Sequence, residues 1–434
     1  MVLILGYTAR TIKSKTRNAL TDIESLLQKG LYTQTQRLLK RTKKIAVNYE
    51  MWEEHLQLIK YEFNLVNIFH HINEQPQHHK SLKTEMLSVL DKQRNHTDYA
   101  LLNSETHHVF QRGRYIHLKN DPYYHTFIGY IQEHPLLQKA DSAQSFNAAK
   151  HYYNIRSLFY EWLGDLDNSL DLRKALITLF EQYPQFKELY FDSYLNAINN
   201  YVLMATKVGN LEEAQLYLDK MNQLDTELNR KLNRKEHARL FRLHYNLLTD
   251  IYFKTQQYEK YQQLVPTIQE GLTTFDKEID EGHKINFYYG FAYGAFLMGD
   301  IEQALHYLDE FIFKRSIEFS QDLLRTGRLL QIAAHFQLEN FFLLPSIIRS
   351  TKRQIKKYFN TLSDVEKLVL DFFQRQPEAD TKASMQELYR QLQELEKGTA
   401  STQLWERFHF PAWLKSQLNK QTLGKTLKDF ALKK

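Results

Sequence analysis

The chain has 434 residues, no cysteine, and only 14 glycines and 8 prolines, which excludes disulfides, thiolate nucleophiles and cysteine-based zinc sites. It is too long for one small core, and so few helix breakers favour many helices joined by short turns over strands. Its net charge of +6 is uneven, because residues 1–44 carry +8 and residues 415–434 carry +5, leaving −7 between them. Lys-rich ends commonly serve solubility, so we do not expect nucleic-acid contact.

The N-terminus, MVLILGYTARTIKSKTR, begins with an apolar run of about five residues. Such a run is shorter than the roughly 7–15 apolar residues of a signal peptide and the roughly 18 or more of a membrane span. We therefore expect a soluble, cytoplasmic protein with no membrane span. An abrupt apolar start also fits a chain that begins within a longer helical array.

Helical spacing of apolar residues recurs through the first third of the chain. It predicts helices over residues 16–29, 31–49, 51–72 and 82–110. Gly30 has the C-cap role between the first two helices, and a segment rich in His, Gln and Asn around Pro76, residues 70–80, breaks the pattern. Asp121 and Pro122 then stand at the cap and first turn of another short helix.

The best-formed hairpin covers residues 286–312, NFYYGFAYGAFLMGDIEQALHYLDEFI, in which two apolar-faced helices flank a tight turn. Other segments align on that turn, and the five turn centres are Gly164, Gly209, Gln256, Gly299 and Glu339. Successive centres are 45, 47, 43 and 40 residues apart. Each pair of amphipathic helices can bury its apolar faces only against neighbours, so we expect the hairpins to stack.

In this register, residues 143–358 resemble a degenerate tetratricopeptide repeat (TPR) array of bacterial type. The best-formed hairpin carries Tyr288, Phe291, Gly299, Ala304 and Leu308 at the spacings of that family. The repeats are longer than the usual 34 residues and two of the five carry the family's alanine, so HEAT-like and other α-solenoids stay open. The resemblance implies an all-α fold, a right-handed α-solenoid of antiparallel helical hairpins, and it implies no reaction.

We predict one continuous array with N-terminal hairpins over residues 1–115, TPR-like repeats over 116–358 and a C-terminal helical cap over 359–434. The cap contains predicted helices over 362–374 and 382–397, and a linker at 398–402.

Four aromatic residues follow that linker before a final basic helix: Trp405, Phe408, Phe410 and Trp413. The simplest role for this aromatic segment is to cap the open end of the array. Docking of a partner is the alternative, because aromatic clusters also anchor interfaces.

Asparagine occupies the same place in three successive repeats, ten residues before the turn centre, at Asn154, Asn199 and Asn246. The fourth repeat has Tyr289 there and ends the column. In TPR-like arrays this position resembles one that lines the concave groove, where an amide can both donate to and accept from a peptide backbone. Neighbouring groove positions are predicted at Leu158, Glu161, Leu203, Thr206, Asp250, Phe253, Tyr293 and Phe296. The alternative is that the asparagines bond to loops or adjacent helices.

No sequence motif indicates catalysis. Gly290, Gly294 and Gly299 lie inside a helical pattern, where close helix packing explains them better than a phosphate loop does, and no His-Glu-x-x-His pair or Gly-x-Ser-x-Gly elbow occurs. An enzyme would need a deep cleft with paired, perturbed titratable groups.

Histidines flank the break near Pro76, at His70, His71, His78, His79, His107 and His108. Adjacent helical residues point about 100° apart, so each pair supplies at most one ligand per face. His237 and His244 share one helical face and are interpreted as structural. We therefore expect no functional metal site and no cofactor.

Together these features predict a non-catalytic scaffold that binds a protein or peptide on its concave face. The alternative is a peptide-responsive regulator, similar to bacterial TPR sensors that couple peptide binding to DNA or protein binding. Those sensors usually carry an N-terminal helix-turn-helix, and residues 1–50, although basic, show no compact motif of that kind.

Overall fold

The computed structural model describes residues 7–68, 75–113, 122–228, 230–313, 321–359, 362–375, 381–396 and 407–431. Every regular element in these ranges is a helix and none is a strand, which confirms the all-α prediction. The chain divides into two compact units, Met1–Asn233 and Arg234–Lys434.

The α-helices of the first unit are α1 Tyr7–Gln28, α2 Tyr32–Asn48, α3 Trp52–Ile68, α4 Gln75–Gly113, α5 Pro122–Glu133, α6 Phe146–Leu163, α7 Leu166–Gln182, α8 Pro184–Leu189, α9 Phe191–Val208 and α10 Leu211–Glu227. Two short 3₁₀ turns, Pro135–Leu137 and Ala140–Ser142, precede α6. The α-helices of the second unit are α11 Arg234–Lys254, α12 Tyr258–Thr274, α13 Glu281–Met298, α14 Ile301–Phe313, α15 Gln321–Gln337, α16 Leu344–Phe359, α17 Asp364–Gln374, α18 Thr381–Glu396, α19 Phe410–Leu418 and α20 Leu423–Ala431.

All five predicted turns are present, and each centre has a left-handed backbone. The φ angles are 82° at Gly164, 88° at Gly209, 57° at Gln256, 89° at Gly299 and 57° at Glu339. In each turn the amide after the centre donates to the carbonyl five residues earlier, for example from Asp165 to Tyr160 at 2.9 Å and from Asn340 to His335 at 2.9 Å. This bond satisfies one of the last carbonyls of the helix and forces the chain to reverse, as in a Schellman motif.

The residue after a glycine centre also starts the next helix. The carboxylates of Asp165 and Asp300, and the side-chain carbonyl of Asn210, accept hydrogen bonds from backbone amides in the first turns of α7, α14 and α10. A Gly-Asp or Gly-Asn pair therefore ends one helix and caps the next.

Helix α4 begins earlier than predicted. His78, His79 and Lys80 lie in its first turns, so the predicted break is wrong from residue 75 onward. Pro76 is compatible with this start, because proline at the beginning of a helix removes an amide hydrogen that has no partner there. Residues 69–74, which include His70 and His71, lie outside the described residues.

Gly290 and Gly294 pack against the side chain of Tyr261 on α12. A methyl group placed on Gly290 would lie 2.7 Å from the Tyr261 hydroxyl, and one on Gly294 would lie 2.6 Å from the ring. Tyr261 is completely buried. The prediction of helix packing is confirmed for Gly290 and Gly294, which contact a residue of the preceding hairpin. It is wrong for Gly299, which ends α13 with a left-handed backbone and does not lie inside a helix.

None of the helices within the described residues has an apolar stretch of the length and hydrophobicity that crossing a membrane requires.

We predict that Gly290→Ala and Gly294→Ala each destabilise the second unit by about 1–3 kcal/mol, because the added methyl overpacks a filled core. The two variants should differ in their response to Tyr261→Phe. Removing the hydroxyl relieves the Gly290→Ala contact and leaves the Gly294→Ala contact with the ring. Urea unfolding followed by circular dichroism measures both effects.

Gly129→Ala in α5 is the matched control, because a methyl group there has no neighbour within 4 Å. It should be neutral or slightly stabilising, since alanine favours a helix over glycine. Equal destabilisation by all three substitutions would contradict the packing explanation.

Candidate functional site

The structure places the predicted asparagines on three helices, with Asn154 on α6 and Asn199 on α9 in the first unit and Asn246 on α11 in the second. All three are half-buried. Within the described residues, the amides of Asn154 and Asn246 make no side-chain hydrogen bond, and Asn199 Nδ2 donates only to Asn200 Oδ1 at 3.2 Å. Among the described residues, no loop or adjacent helix forms a hydrogen bond with these amides.

The neighbouring positions in the first unit are mostly engaged in helix packing. The Glu161 carboxylate lies 2.5 Å from the guanidinium of Arg173, which is buried between α6 and α7. Leu158 and Thr206 are buried as well, whereas Leu203 is 40% exposed. Of this set, Leu203 is the apolar side chain that a partner can reach.

The predicted aromatic positions of the second unit are covered by the chain's own C-terminal segment. Tyr289 Oη donates to the carbonyl of Arg407 at 2.8 Å. The ring of Phe408, which is 1% exposed, lies edge-on to Tyr293 and Phe296 at centroid distances of 6.4 and 5.8 Å. The aromatic segment therefore packs on α13.

Two further aromatic residues extend this contact. Phe410 packs on Phe373, and Trp413 packs on Phe373 and Phe336, with Trp413 fully buried. The segment that we expected to cap the array thus fills the aromatic core of the second unit. Trp405 and the predicted linker lie outside the described residues.

Asp250 and Phe253 lie on α11 beside the covered aromatic positions. Phe253 packs edge-on against Tyr261 and Tyr293, so it belongs to the core. Neighbouring protein atoms displace water from around the Asp250 carboxylate, and this desolvation raises its pKa to about 6. The positive charge of Arg407 opposes the shift. Because Asp250 is nevertheless exposed, water screens its charge and the shift carries little free energy.

The first unit contains a cleft that no sequence motif indicated. Its volume is about 1070 Å³, and α3, α4, α6 and α7 all contribute to its walls. On α4 the lining positions Lys80, Thr84, Ser88 and Lys92 follow one another at intervals of four residues, which puts them on one face. This four-residue spacing of polar residues is visible in the sequence and could have indicated the cleft.

Two side chains fix the segment that leads into α6, which forms part of the cleft wall. Asn95 on α4 donates to the carbonyl of Ser142 and accepts from the amide of Gln144, both at 3.0 Å. Glu50, in the left-handed turn between α2 and α3, accepts from the backbone amides of Phe146 and Asn147 at the start of α6. A carboxylate at a helix N-terminus is stabilised by the helix dipole.

A charged network lies at the cleft wall. Lys43 contacts the carboxylates of Glu62 and Glu85, and His55 Nε2 lies 2.9 Å from Glu85 Oε1. Burial lowers the pKa of His55 despite the neighbouring carboxylate. Burial acts to raise the pKa of Glu85, but hydrogen bonds from Lys43 and His55 outweigh it and lower that pKa.

These shifts keep Glu85 ionised and His55 neutral near pH 7, so the pair has no proton poised for donation. His55 is 3% exposed, and its remaining nitrogen, Nδ1, has no partner and no accessible surface. A cleft with perturbed titratable groups is therefore present, as an enzyme would require. Its geometry favours a buried ion network over general acid–base chemistry.

A second group of titratable residues joins α4 to α6. The rings of His96 and His151 stack with centroids 5.8 Å apart. Burial lowers both pKa values, that of His151 to about 3, and Lys150 adds to both shifts. Within the described residues, no cluster of three or more histidine or carboxylate ligands could hold a metal ion.

The chain matches no protein-family model, and no curated protein is significantly similar to it. The likeness to TPR proteins therefore remains a resemblance of spacing.

We predict that stability falls as the pH is lowered from 7 to 5. The unfolded state binds a proton at His151 near pH 6.5, whereas the folded state excludes that proton until about pH 3, so acid favours unfolding. His151 alone should contribute about 2 kcal/mol over this range. Urea unfolding at the two pH values should show a smaller loss for His151→Gln than for the wild type.

The exposed His125 supplies the control, and His125→Gln should keep the wild-type pH dependence. An identical pH dependence in the wild type and in His151→Gln would contradict the buried neutral histidine.

Proposed function

We propose that this protein is a non-catalytic peptide- or protein-binding scaffold of the TPR-like α-solenoid type. The observation that carries the proposal is the asparagine position of the repeats in the first unit, where the amide of Asn154 makes no side-chain hydrogen bond among the described residues. Asn246 has an equally unused amide in the second unit. Asn199 bonds only to its neighbour Asn200, so a ligand can replace that weak surface contact.

The chemistry suits an extended backbone. Each amide can donate through Nδ2 and accept through Oδ1, and a peptide bond offers the complementary acceptor and donor. Such bonds fix the path of a bound chain and leave side-chain selection to neighbouring groups. Each hydrogen bond that a half-buried amide gains contributes about 1 kcal/mol, so several amides are needed for useful affinity.

The test is a peptide array probed with the purified full-length protein. We expect the strongest wild-type ligands to lose at least tenfold in affinity with Asn154→Ala/Asn199→Ala, because two bidentate contacts disappear. Fluorescence anisotropy with the selected peptides measures the loss. Circular dichroism of both proteins verifies that the variant is folded.

Asn18 and Asn64 provide a matched control on exposed faces of α1 and α3. Asn18→Ala/Asn64→Ala removes the same chemistry from the same unit and should leave binding within twofold. Unchanged binding in the column variant would reject the asparagines as ligands.

A second candidate is the peptide-responsive regulator, and one observation favours it. Helix α2 contains no acidic residue, and its exposed cations Arg37, Lys40, Arg41 and Lys44 share one face. None of these four has a partner among the described residues. An acid-free basic face is suited to a phosphate backbone.

This candidate predicts a salt-dependent mobility shift of duplex DNA. If four phosphates are neutralised, affinity should fall roughly a hundredfold between 50 and 200 mM salt. Arg41→Gln/Lys44→Gln should weaken binding at 50 mM salt for all sequences tested. Absence of any shift by the wild type at 50 mM salt would remove this candidate.

A further inference from the structure

We propose that the cleft of the first unit is a second binding site, which takes an extended peptide segment carrying two acidic side chains about six residues apart. The site does not use the asparagine amides, so it holds or fails independently of the function proposed above. Its evidence is the state of the charges and the length of the polar face.

The cleft carries two cations that the protein leaves unpaired. Lys80 and Lys92 line it from α4, and neither forms an ion pair within the described residues. Both lining carboxylates are already engaged, Glu85 by Lys43 and His55, and Glu50 by the amides that start α6. The two lysines are therefore the charged groups of the lining that remain free to bind an anionic ligand.

The polar face sets the length of the ligand. Lys80 and Lys92 are separated by twelve helical residues, or about 18 Å at 1.5 Å per residue. An extended chain advances about 3.3–3.6 Å per residue, and side chains an even number of residues apart point to the same side. Side chains six residues apart are separated by about 20–22 Å, a distance that flexible lysine side chains can match. Thr84 and Ser88 lie between the lysines and offer hydroxyls to the intervening backbone.

A peptide fits these groups better than a nucleic acid does. A phosphate backbone places a negative charge at every nucleotide. The cleft offers two separated cations, and the carboxylates of Glu50 and Glu85 also line it, so a continuous row of phosphates would meet negative charge there. The apolar floor includes Trp52, over whose ring Lys92 lies at 5.9 Å, and Phe146. Such a floor accepts the apolar side of a short extended segment.

The experiment uses the full-length protein and an array of heptapeptides, blocked at both ends, with Glu at positions 1 and 7 and the five central positions varied. Matched arrays carry Gln or Lys at the two ends. We expect the best Glu-ended peptides to bind at least tenfold more tightly than their Gln-ended counterparts. Lys80→Gln/Lys92→Gln should abolish that preference, and Lys80→Glu/Lys92→Glu should bind Lys-ended peptides instead.

Lys60→Gln/Lys83→Gln is the matched control, since these exposed lysines lie on α3 and α4 outside the cleft lining. It changes the net charge equally and should keep the preference. Asn154→Ala/Asn199→Ala should also bind Glu-ended peptides as the wild type does.

Three results would overturn the proposal. The first is no preference for Glu-ended peptides in the wild type, and the second is an equal loss in the Lys60→Gln/Lys83→Gln control. The third is tighter binding of an oligo-dT probe, with the same sensitivity to Lys80→Gln/Lys92→Gln, which would assign the cleft to nucleic acid.

Discussion

The constraint on which the described structure depends is the need to satisfy the last carbonyls of each helix where the chain reverses. A residue with a left-handed backbone brings the following amide back onto the carbonyl five residues earlier. The same bond appears beyond the five aligned turns, from Leu31 to Leu26, from Met51 to Ala46 and from Gln421 to Ser416, at 2.8 to 2.9 Å. Because these turns are so short, consecutive helices pack directly on each other, and the turns offer few residues for a functional site.

Glycine makes such a turn visible in sequence, and its absence hides it. Gly164, Gly209 and Gly299 could be recognised directly, because glycine adopts positive φ without a steric penalty. Gln256 and Glu339 adopt the same conformation at a cost of about 1–2 kcal/mol. They were found only because the glycine turns supplied a register. Helix α4 shows the converse, since a polar composition around Pro76 resembled a break where the backbone is helical.

The location of the aromatic C-terminal segment could not be predicted from sequence. Its composition shows that it must be buried, and many aromatic faces in the chain could receive it. The choice of α13 rests on a backbone carbonyl at Arg407 that meets the buried hydroxyl of Tyr289, and on a space beside Phe296 that the ring of Phe408 fills. Both are properties of the packed core. Tyr289, which ends the asparagine column, therefore has a partner within the chain.

The two candidate sites also differ in how much of each could be predicted from the sequence. The positions of the asparagines follow from the repeat register, whereas the freedom of their amides is a property of the folded chain. The cleft is harder to see in sequence, because residues between Val47 and Tyr183 form it together.

The placement of charge in the cleft supports a ligand role more strongly than the number of charges does. Elsewhere in the first unit some exposed cations meet carboxylates, as Lys174 meets Glu213 at 2.9 Å, and others, such as Arg37 and Lys40, have no partner among the described residues. Exposed pairs of this kind contribute at most about 1 kcal/mol, so leaving Lys80 and Lys92 unpaired sacrifices little stability. In a partly enclosed cleft the same charges attract an anion more strongly than they would in open water. The two unpaired lysines therefore cost the folded protein little stability, and they can contribute more than that to the binding of an anion.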